Sequence, residues 1–416
     1  MRYFDPIFSH FLSGYRSKYS CQSTILRMVE DWKQSLDNGN FVGTVAIDLS
    51  RAFDSLPYGL LIAKLSAYGV DKSACKLLCS YLHNRHQCVK VNGATSKWMP
   101  IKRGVPQGSV LGPVLFNIYI NDIFMFNKES NIYNYADDNC VSYASPSIAH
   151  IEKVLTAEIE TLMEWFRNNS LEANPKKFQS MLLRSRKPVT ENMDISISSS
   201  PISVSDSIKV LGIHVDNKLN FNEHIQFMCR KAGRQLNVLQ RMRGVLDFKA
   251  RLCIYKSFIL SNFAYCPVVW MFCGKVNLAM VEKIQERALR FVCKDFVSSY
   301  EDLLNKCDLD TIKLMSLRHL ETEVFKCVHS LNPNYLNSMF QLKETHYDFR
   351  KFSTLIRPRI NTTTYGIRSF RYFGSKIWDM LPNSCKSAVT LAEFKELLNK
   401  WYGPTCKCSI CVSFMN

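Results

Sequence analysis

The stretch NIYNYADDNCVSYAS, residues 131–145, is the most informative part of the sequence. Apolar and polar residues alternate on both sides of a polar centre, a pattern that predicts two short strands joined by a tight turn. Asp137 and Asp138 fall at the tip, so the hairpin displays two adjacent carboxylates. Aspartate is common in solvated turns, and a Tyr-x-Asp-Asp string arises by chance in on the order of a few per cent of chains this long. The hairpin alone therefore does not define a site.

A third carboxylate follows a second predicted strand. The run FVGTVAIDLS, residues 41–50, is apolar and β-branched and contains Asp48 near its end, before a helical pattern begins at Leu60. Magnesium prefers oxygen ligands, and two such ions about 4 Å apart can activate a hydroxyl and stabilise the leaving oxygen in phosphoryl transfer. Asp48, Asp137 and Asp138 are thus candidate ligands for two metal ions.

The rest of the pattern is mixed helix and strand up to about residue 220 and mainly helical beyond it. The predicted elements are a hairpin turning at Asn92-Gly93, a glycine-rich loop GVPQGSVLGP over 104–113, an apolar helix over about 114–126, a helix over about 147–168, and strand-like text KVLGIHVD over 209–216.

Composition indicates a globular chain with a polyanionic partner. The chain has 416 residues, 47% of them apolar, which is enough for two or three cores. The formal charge of +17 favours phosphate binding, although charge alone does not separate nucleic acid from an anionic membrane surface.

The cysteines and the apolar runs bear on location. Sixteen cysteines are scattered through a long chain whose first residues lack a signal-peptide pattern, so we expect an intracellular protein, nuclear or cytoplasmic and not secreted. The apolar stretch 252–273 is interrupted by Lys256, Asn262 and Pro267. We therefore expect a buried helix and turn there, and no membrane as partner.

Three sequence motifs, in a fixed order along the chain, carry a resemblance to a known family. They are Asp48-Leu-Ser-Arg-Ala-Phe53-Asp54, Gly104-Val-Pro-Gln-Gly108-Ser-Val-Leu-Gly-Pro113 and Tyr135-Ala-Asp137-Asp138. Their order and spacing resemble palm motifs A, B and C of reverse transcriptases, and the text is similar to that of non-LTR (LINE-type), jockey-like retrotransposons. Asn174-Pro-Lys-Lys177 resembles motif D, and Leu211-Gly212 resembles motif E. The resemblance extends over essentially the whole chain.

The resemblance implies a fold of α+β class and a domain order. It predicts a right-hand palm, an antiparallel sheet backed by helices with partial fingers, followed by a mainly helical thumb and a mixed C-terminal region. The expected limits are a fingers remnant at 1–40, the palm with fingers elements at 41–205, motif E and thumb at 206–300, and a C-terminal region at 301–416. We expect a chain truncated at its N-terminus relative to the family.

The resemblance also implies an activity, an RNA-directed DNA polymerase that adds deoxynucleotides to a primer 3′ end. It implies an RNA template, a DNA primer and dNTPs as partners, and two Mg²⁺ ions, with Mn²⁺ as an alternative. Asp48 and Asp137 would be the more direct metal ligands, with Asp138 beside them. Two alternatives stay open, a catalytically inactive nucleic-acid-binding remnant and a viral-type RNA-dependent RNA polymerase.

Further roles carry over residue by residue. Phe53 would lie under the incoming sugar and reject a 2′-hydroxyl, the alternative being core packing. Gln107 and Gly108 would contact the nucleotide and the template base. Lys177 would stabilise or protonate the pyrophosphate, with Lys176 as its rival and a plain surface lysine pair as the alternative. Asp54 is expected to make a structural hydrogen bond or a cap.

Two basic or metal-prone features lie farther along. Arg230, Arg234 and Arg241 fall within roughly 40° of one another on a helix, which predicts a nucleic-acid-binding stripe, or else a solvated face. The other basic residues expected to extend that patch are Lys231, Arg243, Lys249 and Arg251. At the end of the chain, Cys406, Cys408 and Cys411 resemble part of a zinc site without a fourth ligand, or a tail without metal.

Overall fold

The computed structural model describes residues 3–184, 193–197, 200–242, 244–343, 354–406 and 408. The chain divides into two compact units, the first formed by Met1–Thr24 and Gly39–Leu211 and the second by Ile25–Asn38 and Gly212–Asn416. The first unit combines helices with a sheet, and the second is mainly helical. The main division therefore falls beside Leu211-Gly212, and the domain limits given above stay predictions.

The helices and strands are numbered in chain order. The strands are β1 Phe41–Ile47, β2 Leu49–Ser50, β3 His86–Gln87, β4 Lys90–Val91, β5 Ala94–Thr95, β6 Met99–Pro100, β7 Asn131–Tyr135, β8 Asp138–Ser145, β9 Glu172–Ala173, β10 Gln179–Leu183, β11 Ser196–Ile197, β12 Ser200–Pro201, β13 Ser203–Val204, β14 Ser207–Val210 and β15 Ile213–Asp216. The helices are α1 Cys21–Asp37, α2 Ala52–Ser55, α3 Tyr58–Ala67, α4 Lys72–Leu82, α5 Leu111–Ile120, α6 Ile148–Asn168, α7 Asn222–Arg241, α8 Phe248–Ile254, α9 Ser261–Ala264, α10 Pro267–Trp270, α11 Lys275–Cys293, α12 Tyr300–Cys307, α13 Ile312–Val328, α14 Asn334–Asn337, α15 Phe370–Trp378, α16 Asn383–Lys386 and α17 Leu391–Asn399.

The first unit is organised around a five-stranded sheet of order β13-β10-β1-β8-β7. Strand β1 pairs antiparallel with both β10 and β8, and β8 pairs antiparallel with β7 to form the predicted hairpin. Only the edge strand β13 runs parallel to its neighbour. The apolar run at 41–47 is therefore the central strand, which explains why nearly all of it is buried.

Helix α6 covers this sheet. The apolar residues predicted to line one face of the helix are buried, namely Ile151, Leu155, Ile159, Leu162 and Phe166. Ser147 caps the helix by accepting a hydrogen bond from His150 N, so the predicted limits of 147–168 are confirmed. A Cβ added at Gly43 of β1 would lie 2.3 Å from Ile151 Cγ2, so glycine lets the helix rest on the strand. The predicted α+β class, with an antiparallel sheet backed by helices, is confirmed.

Two other local predictions held with small shifts. The hairpin turns at Asn92 and Gly93, whose φ angles are 48° and 85°, as its Asn-Gly sequence predicts. The apolar helix after the glycine-rich loop begins at Leu111, three residues earlier than predicted, and passes at Ile120 into a 3₁₀ turn ending at Met125. The earlier start is tolerated because a proline fits the first turn of a helix, where its missing N–H has no partner to lose.

The second unit contains the helices from α7 onward. The stretch 252–273 is helical almost throughout, through α8, a π-helical turn at Tyr255–Leu260, α9 and α10. Its large side chains Tyr255 and Trp270 are fully buried. Among the helices of the described residues, none combines the length and apolar character needed to cross a membrane.

Candidate functional site

Strand pairing brings the three predicted carboxylates together. Asp48 follows the last residue of β1, and Asp137 and Asp138 stand at the turn between β7 and β8. Ile47 lies opposite Asn139 in the β1–β8 ladder, so Asp48 reaches the level of Asp138. Two segments far apart in the chain thus place their acidic side chains at one end of one sheet.

The carboxylates interact electrostatically. Partial burial raises the pKa of Asp137, and the charge of Asp48 raises it further. Partial burial also raises the pKa of Asp138, with additional contributions from Asp137 and then Asp48. Like charges gathered in this way are stabilised by a bound cation.

The donor chemistry of this cluster suits magnesium. All three residues offer carboxylate oxygens, the ligands that Mg²⁺ prefers, and such an ion ordinarily keeps several waters and substrate oxygens in its shell. Within the described ranges, no group of three or more His, Cys, Asp or Glu residues is arranged closely enough to hold a metal ion by itself. The donor type therefore fits Mg²⁺, whereas the three carboxylates do not form a complete metal site among the described residues.

Two buried asparagines hold the turn that carries Asp137. Asn134 Nδ2 donates to Ala136 O at 2.8 Å and to Asn139 Oδ1 at 2.9 Å, and Asn139 Nδ2 donates to Asp137 O at 3.0 Å. Ala136 has φ of 56°, a left-handed conformation that an alanine adopts only when its surroundings impose it. Sequence reasoning missed these asparagines, although their polar side chains at the ends of two apolar strands were an available signal.

The N-terminal segment packs on the same turn. A Cβ at Gly14 would lie 2.6 Å from Ala136 N, and the carbonyl of Gly14 accepts a hydrogen bond of 2.7 Å from Asn117 Nδ2. Burial raises the pKa of the neighbouring Tyr15, and the charge of Asp137 raises it further. Gly14 and Tyr15 therefore belong to the surroundings of the carboxylates, which periodicity could not reveal.

Lys177 reaches the carboxylate cluster. It stands in a 3₁₀ turn at Pro175–Lys177, and its Nζ lies 3.3 Å from Asp48 Oδ2. Both side chains are about half exposed, so this pair adds little stability. Lys176, its rival, makes only a backbone contact, from its N–H to Asn174 Oδ1 at 3.1 Å, among the bonds of the described residues. Lys177 is thus the lysine of this pair that contacts Asp48.

Phe53 is held in place by two aromatic rings. Its ring stacks on Phe116 with centroids 4.1 Å apart and 16° between planes, and the Tyr15 ring packs nearly perpendicular to it with centroids 6.1 Å apart. Phe53 is half-buried and packs against the core. These contacts fix the position of the Phe53 ring, so that it can sterically exclude a group placed against it. The contact with Phe116 also gives Phe53 an ordinary packing role.

The loop 104–113 is tied to the residues after Asp48. Val105 N donates to Phe53 O at 2.9 Å, and Gln107 Nε2 donates to both carboxylate oxygens of Asp54, at 2.9 and 3.1 Å. The expectation that Asp54 makes a structural hydrogen bond is confirmed. Gly108 has φ of 75°, with no atom within 4 Å of an added Cβ, so the loop needs glycine for its backbone conformation rather than for space.

The predicted basic stripe lies on α7 in the second unit. Arg230, Arg234 and Arg241 are all exposed on that helix. Arg251 was wrongly expected to extend the patch, because it is 4% exposed and donates to Val292 O at 2.8 Å. Arg243 lies outside the described residues.

The C-terminal cysteines are described only in part. Cys408 N donates to Cys406 Sγ at 3.5 Å, and Lys376 Nζ donates to Cys408 Sγ at 3.0 Å. Cys411 lies outside the described residues.

Fold and site together define a polymerase-type palm, an antiparallel sheet backed by helices with three carboxylates at one end. Residues 1–215 match the reverse transcriptase (RNA-dependent DNA polymerase) family, and the chain belongs to that family. The resemblance stated from motifs A, B and C is thereby confirmed.

Similar proteins come from mobile elements of insects. The chain is 27% identical to a probable RNA-directed DNA polymerase from transposon BS of Drosophila melanogaster, over 74% of this chain and 35% of that protein. It is 25% identical to the RNA-directed DNA polymerase from mobile element jockey of Drosophila funebris, over 79% and 36% respectively. The chain thus spans about a third of the length of the curated relatives it matches.

Among solved structures, the chain is similar to the telomerase of Candida albicans in complex with a TWJ fragment of telomeric RNA. The identity is 15%, the TM-score is 0.35, and the match covers 74% of this chain and 52% of that one.

Proposed function

We propose that this chain is an RNA-directed DNA polymerase, part of a non-LTR retrotransposon, that extends a DNA primer with deoxynucleotides on an RNA template. The observation that carries the proposal is the convergence of Asp48, Asp137 and Asp138 at one end of the sheet, where β1 pairs with β8 and the charge of Asp48 raises the pKa values of both Asp137 and Asp138. Membership of the reverse transcriptase family supports the same reaction.

Asp48, Asp137 and Asp138 would hold two Mg²⁺ ions, with Mn²⁺ as a substitute. When bound, these ions supply Lewis acidity and charge neutralisation for phosphoryl transfer. Asp48 and Asp137 are the more direct ligands in this proposal. The asparagines that fix the turn orient Asp137, since a ligand is effective only when its own position is constrained.

Other side chains position the nucleotide and manage charge. Lys177 brings an ammonium group to within 3.3 Å of Asp48, where it can stabilise or protonate the departing pyrophosphate. Phe53, clamped against Phe116, provides the wall that a 2′-hydroxyl would strike. Gln107 and Gly108 present the loop that contacts the nucleotide and template base, with Gln107 held by Asp54.

The binding partners in this proposal are an RNA template, a DNA primer and dNTPs. Arg230, Arg234 and Arg241 would track the sugar-phosphate backbone of the RNA–DNA hybrid, because an A-form duplex is recognised by shape and phosphate contacts. We also propose an intracellular location, nuclear or cytoplasmic, which fits the scattering of sixteen cysteines through a long chain.

Primer extension tests the proposal. The purified chain is offered a DNA primer on an RNA template with dNTPs or rNTPs, in Mg²⁺ and then with excess chelator. We expect extension with dNTPs that chelator abolishes, and none in Asp137→Asn, whose RNA–DNA affinity measured by fluorescence anisotropy stays near that of the parent. Preference for rNTPs would favour an RNA-dependent RNA polymerase, and binding without any extension would favour an inactive remnant.

A further inference from the structure

A solvent-exposed hairpin stands between the residues after Asp48 and the loop 104–113. Two short strand pairs are nested in it, β3 with β6 and β4 with β5. Every residue from 89 to 100 is exposed. Four large apolar side chains are among them, Val89, Val91, Trp98 and Met99, each at least 60% exposed. We call residues 85–103 the 85–103 hairpin.

Trp98 differs from every other tryptophan of the chain. It is 67% exposed, whereas the remaining five are between 0% and 7% exposed. An aromatic residue exposed to water on a hairpin contributes little to folding, since it buries little of its surface. Exposed apolar side chains grouped on one element instead mark a binding surface.

The charge around this surface has one sign. Between Asp71 and Asp122 the chain contains seven Lys or Arg residues and no Asp or Glu. Five of these cations belong to the 85–103 hairpin, namely Arg85, Lys90, Lys97, Lys102 and Arg103. Among the ion pairs of the described residues, none involves these five side chains. An unneutralised group of this kind attracts phosphate.

A cavity of about 880 Å³ lies against the foot of the hairpin and the start of the loop 104–113. Its lining includes Arg85, Lys102 and Arg103 of the hairpin, together with Arg51, Asp54 and Gln107. Arg51 lies in the segment that follows Asp48, and Gln107 lies in the loop that precedes α5. The foot of the hairpin therefore presents basic side chains to this cavity.

We propose that the 85–103 hairpin binds unpaired RNA, with a base stacked on Trp98 and phosphates against its lysines and arginines. Cationic grooves combined with aromatic platforms bind single strands without sequence preference, because every base has a stacking face. The identity of this RNA as the uncopied template rests on the proposed function, whereas the binding itself does not. The single sign of the charge favours RNA over an apolar protein partner.

Tryptophan fluorescence tests the binding without catalysis. The full chain is titrated with single-stranded oligo(A) of 12 nucleotides in chelator, without dNTPs, and then with a blunt RNA–DNA duplex of equal length. Only Trp98 is accessible, so stacking should quench the long-wavelength emission and protect it from acrylamide. Oligo(A) should do this and the blunt duplex should not. Unchanged emission at saturating oligo(A) overturns the proposal.

Matched variants separate stacking from other causes. Trp98→Ala should weaken oligo(A) binding about tenfold by anisotropy, while Trp98→Phe, which retains a stacking ring, restores most of it. Tyr402→Ala, which removes another exposed aromatic, at 82% exposure, should bind as the parent does. Equal affinity in Trp98→Ala and the parent refutes the inference. So does shielding of Trp98 that grows with protein concentration in the absence of RNA, which would assign the surface to a second copy.

The two proposals fail separately. A chain that binds oligo(A) through Trp98 and never extends a primer retains this inference and loses the polymerase assignment. A chain that extends primers, and whose Trp98→Ala variant binds long template overhangs as tightly as the parent, retains the polymerase assignment and loses this inference.

Discussion

Gly14→Ala probes how closely the turn that carries Asp137 is constrained. The added methyl would lie 2.6 Å from Ala136 N, 3.1 Å from its Cα and 3.2 Å from its Cβ. Carbon contacts are favourable near 3.5–4.0 Å, so the two backbones must separate by about 1 Å. Gly14 cannot simply move away, because its carbonyl is bound by the buried Asn117. The turn, and with it Asp137, should therefore shift.

A shift of about 1 Å at a reacting centre costs on the order of 10²-fold in rate. We expect single-turnover addition of one dNTP to slow by about that factor in Gly14→Ala, with a loss of about 1–3 kcal/mol in unfolding free energy from overpacking. Gly59→Ala is the matched control, since Gly59 lies in helix α3 with nothing within 4 Å of an added Cβ. It should keep the parent rate and gain about 0.5–1 kcal/mol. Addition at the parent rate in Gly14→Ala would refute the reasoning.

Three further predictions concern single side chains. Phe53→Ala should lower discrimination against ribonucleotides on the order of 10- to 100-fold, read from competing dNTP and rNTP incorporation, and unaltered selectivity would leave Phe53 as a packing residue only. Lys177→Gln should slow addition on the order of 10²-fold, while Lys176→Gln stays near the parent rate, and the reverse order would exchange their roles. Glu321 is fully buried, neither carboxylate oxygen has a hydrogen-bond partner in the described part of the chain, and burial raises its pKa well above the ordinary value. Because the unfolded chain releases this proton above about pH 4.5 and the folded chain retains it, the unfolding free energy of the parent should fall by about 1.4 kcal/mol per pH unit above that pH, relative to Glu321→Gln. A difference in unfolding free energy between parent and variant that does not change with pH, measured by denaturant unfolding, would contradict the raised pKa of Glu321.

Local pattern predicted the elements that carry the chemistry. The hairpin at 131–145, the strand ending before Asp48 and the helix behind them follow from alternation and helical spacing, which are properties of adjacent residues. Their assembly does not follow from periodicity. The placement of Asp48 beside Asp138 depends on the pairing of β1 with β8, which only the resemblance of the motifs to a palm implied.

The sequence alone did not predict contacts between segments that are far apart in the chain. Gly14 lies against Ala136, although a long stretch of sequence separates the two residues. No helical or strand periodicity predicts a contact between them. Arg251 was expected on an exposed basic patch but is buried. A helical wheel places a basic residue on one face of a helix but does not show whether a neighbouring helix covers that face. The exposure of Trp98 was equally hard to predict, because local sequence does not reveal which side chains a neighbouring segment covers.

We propose that Asp48 and the two carboxylates of the β7–β8 hairpin act as one metal site. Electron paramagnetic resonance can count the Mn²⁺ ions bound to the chain in the presence of primer–template and dNTP. We expect about two bound ions in the parent, loss of at least one in both Asp48→Asn and Asp137→Asn, and full binding in Asp54→Asn, whose carboxylate is engaged by Gln107. Undiminished Mn²⁺ binding in Asp48→Asn would contradict this proposal.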